Sequence, residues 1–195
     1  MRNSGWATRR TPLWIFAVIA VLIAGVVIVS LDQSPSSAQR ASDLRGYFGD
    51  VNAGIESCAG GLRDAETALR KVTSGDTADY RTAVGILTYN AQNCSPGNNE
   101  PLEEFTSYQV PQALSTLNLD EADNGVITWA FDAQKAQDDM LAVLRAKTPQ
   151  ARAGANATLT SAMTTLERQR GAIYAIWDHA QQITGDHGKL PNLPT

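Results

Sequence analysis

The chain has 195 residues, of which 43% are hydrophobic and 18% charged, and a formal net charge of −4. Beyond residue 31 there are thirteen bases against twenty acids, a net charge of −7, so that part of the chain is repelled by nucleic acid and by anionic lipid headgroups. The 164 residues that follow Leu31 are enough for one domain with a core of its own.

Leu13 to Leu31 is a run of nineteen residues without a charge. As a helix it covers roughly 28 Å, close to the ~30 Å hydrocarbon core of a bilayer. A helix satisfies its own backbone hydrogen bonds, which lipid cannot do for it. Arg2, Arg9 and Arg10 precede the run and Asp32 follows it. Positive charge stays inside, so residues 1–12 are expected in the cytoplasm, 13–31 in contact with membrane lipid as a single-pass anchor, and the rest outside. A cleaved secretory signal is the competing reading, with Ser36-Ser37-Ala38 as a peptidase site. The run is longer than a usual signal core and the cut lies well past it, which favours retention. Arg9-Arg10 also fits a twin-arginine export signal, but Pro12 and a very apolar core follow. Either alternative still exports the domain.

Residues 32–41, with Pro35 and serines at 34, 36 and 37, read as a linker. A helical bundle is expected over 42–185. Leu44, Phe48, Val51, Ile55, Cys58, Leu62, Ala65, Leu69 and Val72 alternate spacings of four and three, a heptad seam on a long amphipathic helix. Five glycines fall off this seam, at 46, 49, 54, 60 and 61, and are expected to weaken the helix. Thr73-Ser74-Gly75-Asp76 supplies a stop and a start, with Asp76 or Thr77 as the next cap. Tyr80, Val84, Leu87, Ala91 and Cys94 then continue the same spacing.

For two antiparallel helices turning near residue 76, facing residues have numbers that add to about 152. Cys58 with Cys94, Ala65 with Leu87 and Val72 with Tyr80 each meet the value of 152. An exported chain meets an oxidising compartment, so a Cys58–Cys94 disulfide is predicted. Cys-x-x-Cys redox spacing is absent.

Asn93 to Pro101 is turn-forming, and residues 102–119 read as a long connection with one short helix. Asp120-Glu121 starts a third long helix that ends near Arg145, with a seam of Trp129, Ala133, Ala136, Met140 and Val143. Thr148-Pro149 caps the fourth, whose Leu159, Ala162, Leu166, Ile173, Ile176, Ala180 and Ile183 lead to a stop at Gly185. Residues 186–195, with two prolines, are expected to be a flexible tail. The fold class expected is all-α: a transmembrane helix followed by an extracytoplasmic antiparallel four-helix bundle.

Chemistry is hard to find. His179 and His187 lack the Glu-x-x-His setting of bundle metal sites. Asp120 to Phe131 partly imitates a calcium loop, but Ala122 and Phe131 stand where oxygen ligands belong. Glycosylation patterns occur at Asn93 and Asn156, the first with Cys94 inside it. Hydrolase, phosphate-loop and zinc-protease motifs are absent from the sequence. No catalytic, cofactor-binding or metal residue is assigned, and the oligomeric state is left open. The favoured expectation is a non-enzymatic, membrane-anchored envelope module that presents a surface to another envelope protein or to its own copies; the alternative is an extracytoplasmic, sensor-like domain for a small ligand. The Ala/Gly/Asp/Thr-rich composition suggests a bacterial chain.

Overall fold

The computed structural model describes residues 35–75 and 79–194. The anchor expected over 13–31 and the caps expected at Asp76 and Thr77 lie outside these. Among the described residues no helix is long and apolar enough to cross a membrane.

All regular structure in this part is helical. Helix α1 runs Ser37–Thr73, α2 Tyr80–Gln92, α3 Glu100–Thr106, α4 Leu119–Arg145 and α5 Pro149–Thr184, with single 3-10 turns at Pro96–Asn98 and Gln112–Leu114. Helix α1 therefore begins inside the segment expected as a linker. Ala38, Gln39, Arg40 and Ala41 are good helix formers, and the serines before them do not prevent a helix start.

Several boundaries follow the sequence signals directly. Gly75 and Gly185 take positive φ, 105° and 71°, just past the ends of α1 and α5. Thr148 Oγ1 accepts from the Ala151 N–H at 3.1 Å, with Pro149 in the first turn. In the connection, Asn99 caps α3 by accepting from Leu102 N–H. Asn118, with φ of 54°, precedes α4 in a left-handed conformation that asparagine tolerates.

Cross-links between the helices fix their directions. Arg45, near the start of α1, pairs with Asp186 just past the end of α5 at 2.8 Å, so these two run antiparallel. Tyr47 meets Asp123 near the starts of α1 and α4, whereas Cys94 and Gln137 meet farther along, beside Cys58. Helices α1 and α4 thus run parallel, with α2 and α5 opposed to both. Helix α2 packs on α1 and α4; α5 packs most extensively on α4 and also touches α1. Short α3 lies against α1.

The predicted α1 seam is buried from Leu44 to Ala65 and only half-buried at Leu69 and Val72. The buried face is wider than one seam, because Tyr47, Gly54, Ala59, Gly61 and Ala68 are buried too. A helix touched by four neighbours buries more than one stripe. Gly54 and Gly61, expected only as weak points, are close-approach sites. A methyl group on Gly54 would lie 3.0 Å from Phe105 Cβ, and one on Gly61 3.0 Å from Asn90 Cβ.

On α4 the sequence signal was again half of the truth. Asp123, Val126, Ala130, Gln137 and Leu144 are buried beside the predicted seam, forming with its Ala133 and Met140 a second stripe. The C-terminal segment corrects an expectation outright. Residues 186–194 are seated rather than loose: Asp186 and Leu193 are buried, Tyr174 Oη donates to Pro191 O at 2.9 Å and accepts from Leu193 N–H, and Gln181 Nε2 donates to Gly188 O. Leu190 and Leu193 give the segment apolar surface to bury, which its prolines and glycine concealed.

Candidate functional site

The disulfide fixes the middle of the molecule. Cys58 and Cys94 are bonded, with Cα atoms 4.5 Å apart and both side chains fully buried. Gln137 of α4 is also fully buried and donates from Nε2 to Cys94 Sγ at 3.3 Å. A bond so enclosed serves as a staple, since exchange requires a thiolate to reach the sulfur. It closes a separation of 36 residues, worth about 4 kcal/mol in the chain-entropy account.

Above the staple, α1 and α2 border a groove of about 500 Å³. Its floor is made of small residues, Ala68 from α1 and Ala83 from α2. Ile86 and Tyr89 form an apolar side, and Asp64, Lys71 and Asp79 place charges at the edges. The lower end is closed by Asn90, whose Nδ2 donates to Gly61 O at 3.2 Å. Tyr89 is 69% exposed and Tyr80, at the start of the same helix, 41%. An exposed tyrosine lining such a cleft, as Tyr89 does, is the residue type that protein interfaces favour.

Below the staple, α1, α4 and α5 meet around a buried polar chain. Trp177 Nε1 donates to Tyr47 Oη at 3.2 Å, and Tyr47 Oη donates to Asp123 Oδ1 at 2.7 Å. Tyr47 and Trp177 are wholly buried. Phe48, Tyr108 and Tyr174 surround them with ring centroids 5.5 to 6.0 Å apart. Burial raises the Asp123 carboxyl to about 6, opposed by the hydrogen bond from Tyr47 and aided by the charge of Asp120. The same burial, with the Asp123 charge beside it, pushes the Tyr47 hydroxyl far up. Tyr108 is pushed up to about 12 by burial and by Asp50.

A third feature is smaller. On the α4–α5 face, Gln169 Nε2 donates to Asp132 Oδ2 at 2.6 Å beside a polar pocket of about 140 Å³ lined by Lys135, Asp139 and Thr158. Burial, with the neighbouring Asp139 charge, raises the Asp138 carboxyl above its ordinary value.

Of the residues weighed from the sequence, only the cysteines are brought together. His179 and His187 are both exposed. The stretch from Asp120 to Phe131 is continuous helix within α4, so its carboxylates cannot wrap an ion as a loop does. Among the described residues no cluster of His, Cys, Asp and Glu could hold a metal ion. Among the acids, Glu100, Glu103 and Glu104 are exposed on α3, whereas Asp123 of α4 is buried. Sequence reasoning missed the Tyr47–Asp123–Trp177 chain. Its trace was an acid at position 123 of the second apolar stripe of α4, three residues before Val126.

Comparison with protein-family models, with curated proteins and with solved structures finds no match to this chain. The functional reading therefore rests on the groove, the buried chain and the sequence.

Proposed function

We propose that this chain is a non-enzymatic, single-pass membrane protein whose extracytoplasmic domain, an antiparallel four-helix bundle, docks another envelope protein. The observation that carries the docking is the groove between α1 and α2, a largely apolar cleft lined by the exposed Tyr89. The opposed directions of α1 and α2 and of α4 and α5 support the bundle reading. The Cys58–Cys94 disulfide supports an oxidising compartment, and hence export through the segment 13–31. An amphipathic helix from the partner suits the groove. Its apolar side would cover Ala68, Ala83 and Ile86, and its polar side would meet Asp64, Lys71 and Asp79.

A photo-crosslinker at Tyr89 in the full chain, in its membrane, tests this reading. One defined envelope protein should be captured, and Ile86→Glu should abolish the product while a crosslinker at exposed Thr164 yields none. Recovery of uncrosslinked chain alone from position 89 counts against docking there. Extraction of the full chain from membranes only by detergent, and not by alkaline carbonate, is expected if 13–31 is retained as an anchor.

A second reading has the same groove as its support. A cleft of about 500 Å³ is within the usual size range of small-ligand sites, as a sensor-like domain requires. It is distinguished by thermal shifts with small molecules that Ile86→Glu removes.

A further inference from the structure

Asp123 is 9% exposed at the junction of three long helices, and the groups around it do not neutralise it. From α1 it faces Tyr47, and from the segment between α3 and α4 it faces Tyr108, on which Asp43 and Asp50 also act. From its own helix the nearby charge is Asp120. From α5 the facing group is the non-ionising indole of Trp177, acting through Tyr47. Every ionisable group among these is an acid. Arg45, two residues before Tyr47, is already engaged by Asp186.

The hydrogen bonds run one way, from indole to phenol to carboxyl, so only neutral donors stabilise an ionised Asp123. Neutral donors offset part of the cost of burying a charge, and the aromatic rings around them offset none of it. We propose that the Trp177–Tyr47–Asp123 chain is a proton-operated latch: a protonated Asp123 keeps the start of α1 docked on α4 and α5, and its ionisation loosens that docking while the disulfide-tied middle stays closed. The latch lies at the end of α1 from which the chain leads back to residues 13–31. Proton release there changes how firmly the domain holds the start of α1. Burial sets the carboxyl to titrate near 6, within reach of ordinary changes in external pH.

Amide hydrogen exchange on the full chain in detergent micelles tests the latch, with rates corrected for the intrinsic effect of pH. From about pH 5 to about pH 7.5, protection of residues 44–51 should fall by about three- to tenfold, while residues 58–65 stay unchanged. In Asp123→Asn the fall should vanish. Equal protection at both pH values in the wild type, or the same fall in the variant, overturns the proposal. Should Asp123→Asn fail to fold, carboxyl carbon NMR of wild type and Tyr47→Phe decides. The wild-type midpoint should lie near 6 and move upward in Tyr47→Phe, because a hydrogen bond to the charged form is lost. A midpoint in the ordinary carboxylate range overturns it.

Discussion

The two ends of the helical domain are built differently. At one end α1, α4, α5 and the C-terminal segment converge, and Tyr47, Phe48, Trp177 and Leu193 are all buried. At the other, α5 buries no residue before Leu166, and α1 and α2 border the groove. The disulfide lies between them. Much of the domain's rigidity thus comes from one end, which leaves the other free to present apolar surface without endangering the fold. A protein that must both hold together and bind gains from separating the two duties in space.

Core truncations should widen that contrast most. Trp177→Ala is expected to cost about 3–5 kcal/mol in denaturant unfolding, because a fully buried indole leaves a cavity and an unpaired Tyr47 hydroxyl. Leu159→Ala, in the half-buried first half of α5, should cost roughly 1 kcal/mol. Equal losses would erase the distinction between the ends.

Next in size is the staple. Replacing both cysteines with serine should cost about 4 kcal/mol, less whatever residual structure the reduced unfolded chain retains. The melting transition of the variant, compared with wild type with and without reductant, measures it.

A smaller effect follows from Asp123. Its folded-state carboxyl is raised above the unfolded value of 3.8, to about 6, so the folded protein binds the extra proton between these values. Stability is therefore greatest with the proton on, falls as pH rises from about 4 to about 6, and is flat above. With solvent screening taken into account the change is on the order of 1–2 kcal/mol. Denaturation across that range should show the slope in wild type and its loss in Asp123→Asn. An opposite slope at this residue would mean that its carboxylate is stabilised by the fold.

The smallest effect on stability belongs to Tyr89. At 69% exposed, its replacement by alanine should change stability by no more than about 0.5 kcal/mol. The same change should sharply reduce crosslinking from neighbouring groove positions. A large loss of stability would make Tyr89 a packing residue and weaken the docking reading.

Legibility varied with the kind of interaction. Seams, caps and the cysteine pairing were readable because each is local or periodic. Two helices joined by a short turn have few ways to face one another, so the matching heights of Cys58 and Cys94 follow from counting residues on either side of the turn. The second stripes on α1 and α4 were not readable. A residue such as Ala59 or Ala130 is equally at home in water or in a core, and only the neighbouring helix decides. Gly61 was misread for the same reason: propensity counts the cost of glycine within its own helix, whereas its use depends on Asn90, 29 residues away. The C-terminal segment looked loose because its two prolines and one glycine outnumber its two leucines.

By itself the sequence determined that this is a helical chain, that its long helices break at Gly75, Thr148 and Gly185, that two cysteines meet, and that residues 13–31 have the length and apolarity of a membrane span. These depend on backbone geometry and on periodicities of three and four residues, which are written along the chain. Only the tertiary structure decided that α1 and α4 lie parallel with Asp123 bonded to Tyr47, that the segment after Gly185 returns to cover α5, and that a groove lies between α1 and α2. Those features arise where elements distant in sequence approach one another, and burial, which sets both the packing and the charge of Asp123, is a property of the assembled neighbours.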